Sequence, residues 1–461
     1  SLVSLDAAAH GCGRDADDCA APAAFRGMHW VPLILCLSVV AACGSRAQQP
    51  AAAEKGTSCL AADGGDDAAH QALRKAQDGA RERTGEVNAW VATGDAWLRV
   101  ARTYARPELF SAAQDCAERA LAVDAKAAPA MRLQALVMMN AHRFSEARAQ
   151  ARALLDRDPA DVLSWATLSD AELELGNVEG ATEAAQQMLD RKPCLASYGR
   201  AAHLAWLKGD RAGSKRLYRA AIQAGQQLRD PEPRVWMLVQ AAWVFWHEGD
   251  YAGARAGFGL ALEQLPDYVP ALEGLGRTQL SAAAQRPGKE GAAEYREAIG
   301  VLLRALAQHP LAETAWWLGD AYAAVGDSPR ASAAYARVEA LAERADPRTL
   351  SLFYATQARK HRAALRLAKR AFRERQDHYA KDALAFALYR NGELEQAKSL
   401  ARELLAANVP DARLLYHAGL ILHDAGDAAQ GGEAMRRALA LNPRFDLRLT
   451  GALHDTVLAA R

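Results

Sequence analysis

The sequence predicts an all-α solenoid, and three observations predict it. A unit of about 34 residues recurs along the chain. Each copy carries a small polar turn, seen as Gly176-Asn177, Gly209-Asp210, Gly249-Asp250, Gly326-Asp327, Gly392-Glu393 and Gly426-Asp427. Five residues beyond each Gly stands a small side chain: Ala181, Ser214, Ala254, Ala331, Ala397 or Gly431. A fixed period of this size belongs to stacked repeats rather than to a globular enzyme fold. Runs of Val and Ile alternating with polar residues are absent, so no sheet is expected.

The bulk composition agrees. Of 461 residues, 51% are hydrophobic but only 7% aromatic, with Ala dominant. Ala is the best helix former and lets helix backbones approach closely. The net charge is +1, from 56 basic and 55 acidic residues. No global field gathers nucleic acid or an anionic membrane, so no nucleic-acid partner is expected.

Taken in order, residues 1–27 read as neither signal nor domain, and we expect them to be a non-native upstream extension. From Met28, the unbroken apolar run Trp30–Ala42 is too short to span a bilayer and suits a signal-peptide core. It ends Val40-Ala41-Ala42-Cys43-Gly44-Ser45. Small residues before a Cys at that point resemble a bacterial lipoprotein processing site. The resemblance implies a signal over 28–42, cleavage before Cys43 and a lipid on its sulfur. Two or more acyl chains, at about 0.8 kcal/mol per buried CH2, then hold the protein on a membrane. Residues 43–66 lack periodicity and read as a flexible tether. Cys59 in that stretch reads as a free thiol. Cys116 sits among Ala on a predicted helix and reads as a small core residue. With Cys194 they make an odd remainder, which argues against a full disulfide framework.

Helices are expected from Asp67 onward, with Asp67–Arg83 leading. Repeats fill 67–443, and a capping helix closes the chain over 444–461, with Phe445–Leu458 as its helical stretch. Pro159, Pro193, Pro266, Pro310 and Pro443 stop second helices or set the start of the next pair. Two copies are stretched, around Ala105–Leu109 and at Gln285–Lys289. Gln223–Pro233 separates two copies. The copy at 348–376 lacks its Gly turn.

The better copies read Leu238, Ala241-Ala242, Phe245, Ala254, Phe258, Pro266, and Ala315, Leu318-Gly319, Tyr322, Ala331, Tyr335. The register Trp165, Leu168, Ala181, Ala185, Pro193 recurs in Leu415, Ala418-Gly419, Leu422, Gly431, Met435, Ala438, Pro443. This pattern resembles the tetratricopeptide repeat. The resemblance implies a right-handed superhelical solenoid of about ten helix-turn-helix copies. It also implies a concave groove, lined by first helices, that holds a partner segment. The Lys, Asn and Arg set with which chaperone-binding members clamp a carboxylate is missing at the matching offsets.

Offsets of about 3, 6, 10 and 13 before each turn Gly fall on one face of the first helix. That face gives Trp206 and His203; Trp236, Val239, Trp243 and Trp246; Trp316 and Asp320; Tyr379, Asp382, Phe386 and Tyr389; and Arg413, Tyr416, Leu420 and His423. We take Trp206, Trp236, Trp243, Trp246, Trp316, Phe386, Tyr389 and Tyr416 as candidate groove residues. Such rings anchor peptides and also stack on sugars, or else they fill space between helices. The basic stretch Arg359–Arg375 puts Arg362, Arg366, Lys369, Arg370 and Arg373 on one helical face, which reads as a solvated outer surface.

Motifs for phosphate binding, for a zinc pair or for a nucleophile elbow are absent, and no nucleophile-base-orienter set can be assembled. No enzyme, metal or cofactor is expected. Two readings stay open. One is a lipid-anchored envelope scaffold for protein or peptide partners, on the periplasmic face of the outer membrane. The other is an accessory of exopolysaccharide synthesis or secretion with an aromatic glycan-binding groove.

Overall fold

The structure, a computed structural model, describes residues 58–448 apart from 104–105, 229 and 287. The expected extension 1–27, the signal 28–42 and Cys43 lie outside the described residues. Twenty-one α-helices, and no strand, occur among the described residues. Helix α1 (Ala68–Glu82) leads, capped by Asp67, whose carboxylate accepts from the Ala69 and His70 N–H groups.

Ten helix pairs follow. They are α2 (Val87–Thr103) with α3 (Phe110–Val123), α4 (Ala128–Asn140) with α5 (Phe144–Arg157), and α6 (Val162–Glu174) with α7 (Val178–Arg191). Next come α8 (Leu195–Leu207) with α9 (Arg211–Ala224), α10 (Glu232–His247) with α11 (Tyr251–Gln264), and α12 (Val269–Ala283) with α13 (Gly288–Gln308). The rest are α14 (Ala312–Ala324) with α15 (Ser328–Ala345), α16 (Pro347–Thr356) with α17 (His361–Glu374), α18 (His378–Arg390) with α19 (Leu394–Ala407), and α20 (Ala412–Asp424) with α21 (Ala428–Leu441).

Each helix packs on the next from α1 to α7 and from α11 to α21. First helices also touch first helices: α2 on α4, α4 on α6, and α12, α14, α16, α18 and α20 in succession. Within each of these two runs the pairs stack, burying their apolar stripes on their neighbours. The chain divides into two compact units. One runs to Ala201 and includes Gln223–Pro233; the other holds Ala202–Ile222 and everything from Arg234.

The turns work as the sequence predicts. All six turn glycines have positive φ, from 73° at Gly249 to 90° at Gly426. At the Gly326 turn the Asp327 N–H returns to the Tyr322 carbonyl at 2.9 Å, and the Asp327 side chain then caps the next helix at Arg330 N. The copy at 348–376, which lacks its turn Gly, solves the same problem with Ala358 and Lys360, both at φ 50°. The polar insertion near Lys289 lengthens α13 to 21 residues. At the helix crossings Ala181, Ala254, Ala397 and Ser214 are fully buried. A Cβ on Gly431 would lie 2.5 Å from both the Gly419 carbonyl oxygen and the His423 nitrogen, so α20 and α21 cross backbone to backbone there.

Two expectations are corrected. The tether does not extend to residue 66, because Cys59 is fully buried and forms a disulfide with Cys116. The Cys59 carbonyl accepts from Trp97 Nε1 at 2.7 Å, the Ala61 carbonyl accepts from Gln77 at 2.7 Å, and Asp63 pairs with Arg106 at 2.8 Å. This stretch is held by a covalent bond and backbone carbonyls rather than by an apolar stripe, so periodicity does not reveal it. Cys59 is therefore no free thiol and Cys116 no ordinary core residue, while Cys194 stays free and buried.

The second correction is at the other end, where the expected closing helix is not helical over Phe445–Arg448. Pro443 follows α21. Asn442 and Asp446 then turn the backbone, accepting from the Arg444 N–H at 3.1 Å and the Arg448 N–H at 2.9 Å.

Candidate functional site

The second unit carries all eight candidate rings, on its first helices. Residues about one period apart meet there, as stacking demands. The Trp246 indole N–H donates to Ser281 Oγ at 3.1 Å, the Tyr389 hydroxyl donates to Asp424 at 2.5 Å, and His417 Nδ1 lies 2.8 Å from Asp382. Seven of the eight candidates, all but Trp236, make hydrogen bonds or ring contacts among the described residues. Trp206 sits 4.9 Å from the His247 ring, and Trp243 makes edge contacts with Trp246 at 5.4 Å and Phe258 at 5.3 Å. Phe386 lies flat on His417 at 3.9 Å and 6.0 Å from Tyr389, while Tyr416 is 5.6 Å from Phe445. Trp316 packs edge-on to Phe353 at 5.3 Å. Trp206, Trp243, Trp246, Phe386 and Tyr416 are each 8% exposed or less, and Trp236, Trp316 and Tyr389 are half-buried.

The first-helix face is not empty. Residues 442–448 lie on it. Asn442 donates to the Trp246 carbonyl at 2.7 Å and accepts from the Tyr251 hydroxyl at 2.5 Å. Ser281 Oγ donates to the Arg444 carbonyl at 3.0 Å, and the Arg277 guanidinium donates to the Phe445 carbonyl. The Arg448 guanidinium stands 5.0 Å over the Trp316 ring and 3.8 Å from Asp320. These partners bind backbone oxygen through side-chain donors, which is how a peptide is held without regard to most of its side chains.

The electrostatics follow from depth. Burial pushes the Asp320 carboxyl up to about 6, against the pull of Arg448. Burial works the same way on Asp446, but Arg448 and Arg277 overcome it and hold that carboxyl below its ordinary range. Asp446 and Arg448 pair at 3.1 Å. On the basic stretch, Arg362, Arg366, Lys369 and Arg373 are exposed on α17, a second helix, and Arg370 pairs with Glu374 at 3.1 Å. Among the described residues no group of three or more His, Cys, Asp or Glu could hold a metal ion, and no helix is long and apolar enough to cross a membrane.

Residues 412–445, which are α20, α21 and the start of the segment after them, match the family profile of the tetratricopeptide repeat. That stretch is a tetratricopeptide repeat. A comparison with the curated proteins finds no match. Among solved structures the chain is similar to the human IFIT1 dimer with PPP-AAAA, at 15% identity over 81% of this chain and 87% of that one, with a TM-score of 0.49. It is also similar to PilW, a type IV pilus biogenesis factor, at 18% identity over 47% of this chain and 94% of that one, TM-score 0.39. A third is YrrB, described as having an unusual peptide-binding site, at 14% identity over 48% of this chain and 97% of that one, TM-score 0.30.

Sequence reasoning missed Arg277 and Ser281, which make the backbone contacts. In their copy the positive-φ Gly, Gly288, sits within the polar insertion, so the fixed offsets do not reach them. Counting one period forward from Trp243 and Trp246 reaches both, so the signal was the neighbouring copy's register.

Proposed function

We propose that the chain is a lipid-anchored scaffold of the bacterial cell envelope that holds short segments of protein partners on the first-helix face of its second unit. The observation that carries this reading is the hold of Ser281 and Arg277 on the carbonyls of Arg444 and Phe445. A surface that already grips polypeptide by its backbone is built for a peptide ligand, and preorganised donors reduce the ordering cost of binding. The burial of five of the eight rings argues for protein over glycan, since stacking on sugars needs open ring faces. The work is binding rather than catalysis.

The envelope setting rests on the apolar run Trp30–Ala42 before Cys43 and gains support from the Cys59–Cys116 disulfide. Such bonds persist in secreted and periplasmic proteins and are rare in reducing cytosol. The test is affinity capture from membranes with the intact lipoprotein, alongside Cys43→Ser. The full chain should fractionate with membranes and bring down a defined protein, whereas Cys43→Ser should move to the soluble fraction. Unchanged fractionation of Cys43→Ser counts against the anchor, and the absence of any specific protein counts against the scaffold.

A further inference from the structure

We infer that residues 442–448 are a resident occupant of the partner's seat, and that the partner's own segment is a short turn-forming peptide carrying an aromatic residue, then a carboxylate, then an arginine two places on. The inference rests on the scaffold reading and names the chemistry of its ligand.

The segment presents that pattern as Phe445, Asp446 and Arg448. Phe445 is 5% exposed beside Tyr416. Asp446 folds back on Arg448, and Arg448 reaches both the Trp316 face and the Asp320 carboxylate. Each side chain thus meets a matching surface: ring to ring, cation to ring and carboxylate. Two of the three backbone carbonyls between Asn442 and Asp446, those of Arg444 and Phe445, meet donors.

The fit is incomplete, as suits an exchangeable ligand. Three side chains that touch the segment keep a buried polar atom without a hydrogen-bond partner: Arg277 Nη1, Trp316 Nε1 and the Tyr416 hydroxyl. Buried polar groups are seldom left so. Two of the three are N–H groups that can only donate, so a ligand with further acceptor oxygens would be held better than the resident segment. Displacement also leaves the last helix pair intact, because its tightest packing, between Gly419 and Gly431, lies upstream of Asn442.

The test uses the full chain, the full chain with Phe445→Ala and Arg448→Ala together, and a fluorescein-labelled peptide of residues 442–448. By fluorescence anisotropy the doubly substituted chain should bind the peptide saturably, with a Kd at least ten-fold below that of the unsubstituted chain, whose own segment competes. Equal affinities, or no saturable binding by a substituted chain of unchanged helical circular dichroism, would overturn the inference. A second measurement covers a substituted chain that does not fold. In the unsubstituted chain, excess peptide should speed amide hydrogen exchange at residues 444–448 and leave Ala428–Leu441 unchanged. Unaltered exchange at 444–448 would also overturn it. A chain that captures its protein while ignoring the peptide loses this inference and keeps the scaffold reading.

Discussion

Glu273 shows what a single buried side chain imposes on this solenoid. It is fully buried on α12, where Thr314 donates to one carboxyl oxygen and the other has no partner. Burial pushes its carboxyl up to about 8. The folded chain therefore keeps this proton to about pH 8, while the unfolded chain releases it near 4.5. Between those values unfolding releases a proton, so stability falls as pH rises. Glu273→Gln keeps the shape and removes the titration. Its thermal midpoint should be higher than that of the unsubstituted chain at pH 8 and should change less between pH 5 and 8. Parallel pH profiles would show that Glu273 is not the titrating group. Gly431 makes a different demand. A methyl group there meets backbone rather than a movable side chain, so Gly431→Ala should cost about 1–3 kcal/mol through overpacking, read as a lower urea midpoint. Residue-scale sites of this kind were legible where the repeat fixes them: the small position after each turn marked Gly431. Glu273 was not legible, because no sequence pattern announces a buried neutral acid.

At the scale of elements, the turns and pairs could be read and the ends could not. A turn Gly with a capping Asp or Asn is a local signal, and the structure places a helix boundary at each one. Even the degenerate copy keeps its two helices, because Ala364, Ala368 and Ala371 supply the small buried face of α17 without the Gly. The stretch from Cys59 to Asp63 is different, since its order comes from α1, α2 and α3. The disulfide to Cys116 spans 57 residues. Replacing Cys59 and Cys116 with Ser should destabilise the first unit by about 2–4 kcal/mol. Thermal unfolding should show the same loss in the unsubstituted chain under reductant and no further loss in the double variant. A reductant-insensitive midpoint would contradict the bond.

At the scale of the molecule, a common register carried the fold. The period alone gives stacked pairs, and in the structure first-helix residues about one copy apart, such as Asp382 and His417, meet. The candidate rings were found by the same count, but their burial was not. Counting offsets identifies a face and says nothing about what lies on it. Here the cover is residues 442–448, far along the chain from α10 and α12, and nothing local in either sequence points to the other.

That distance has a consequence for biosynthesis. A simple solenoid contacts only its neighbours, so each copy can fold as it leaves the ribosome. The second unit is different, because Asn442 bonds to Tyr251 and to Trp246 across separations of 191 and 196 residues. Long-range contacts of this kind slow folding, and these cannot form until nearly the whole chain has been synthesised. Until then the part of α10 and α12 that residues 442–448 cover stands open during synthesis.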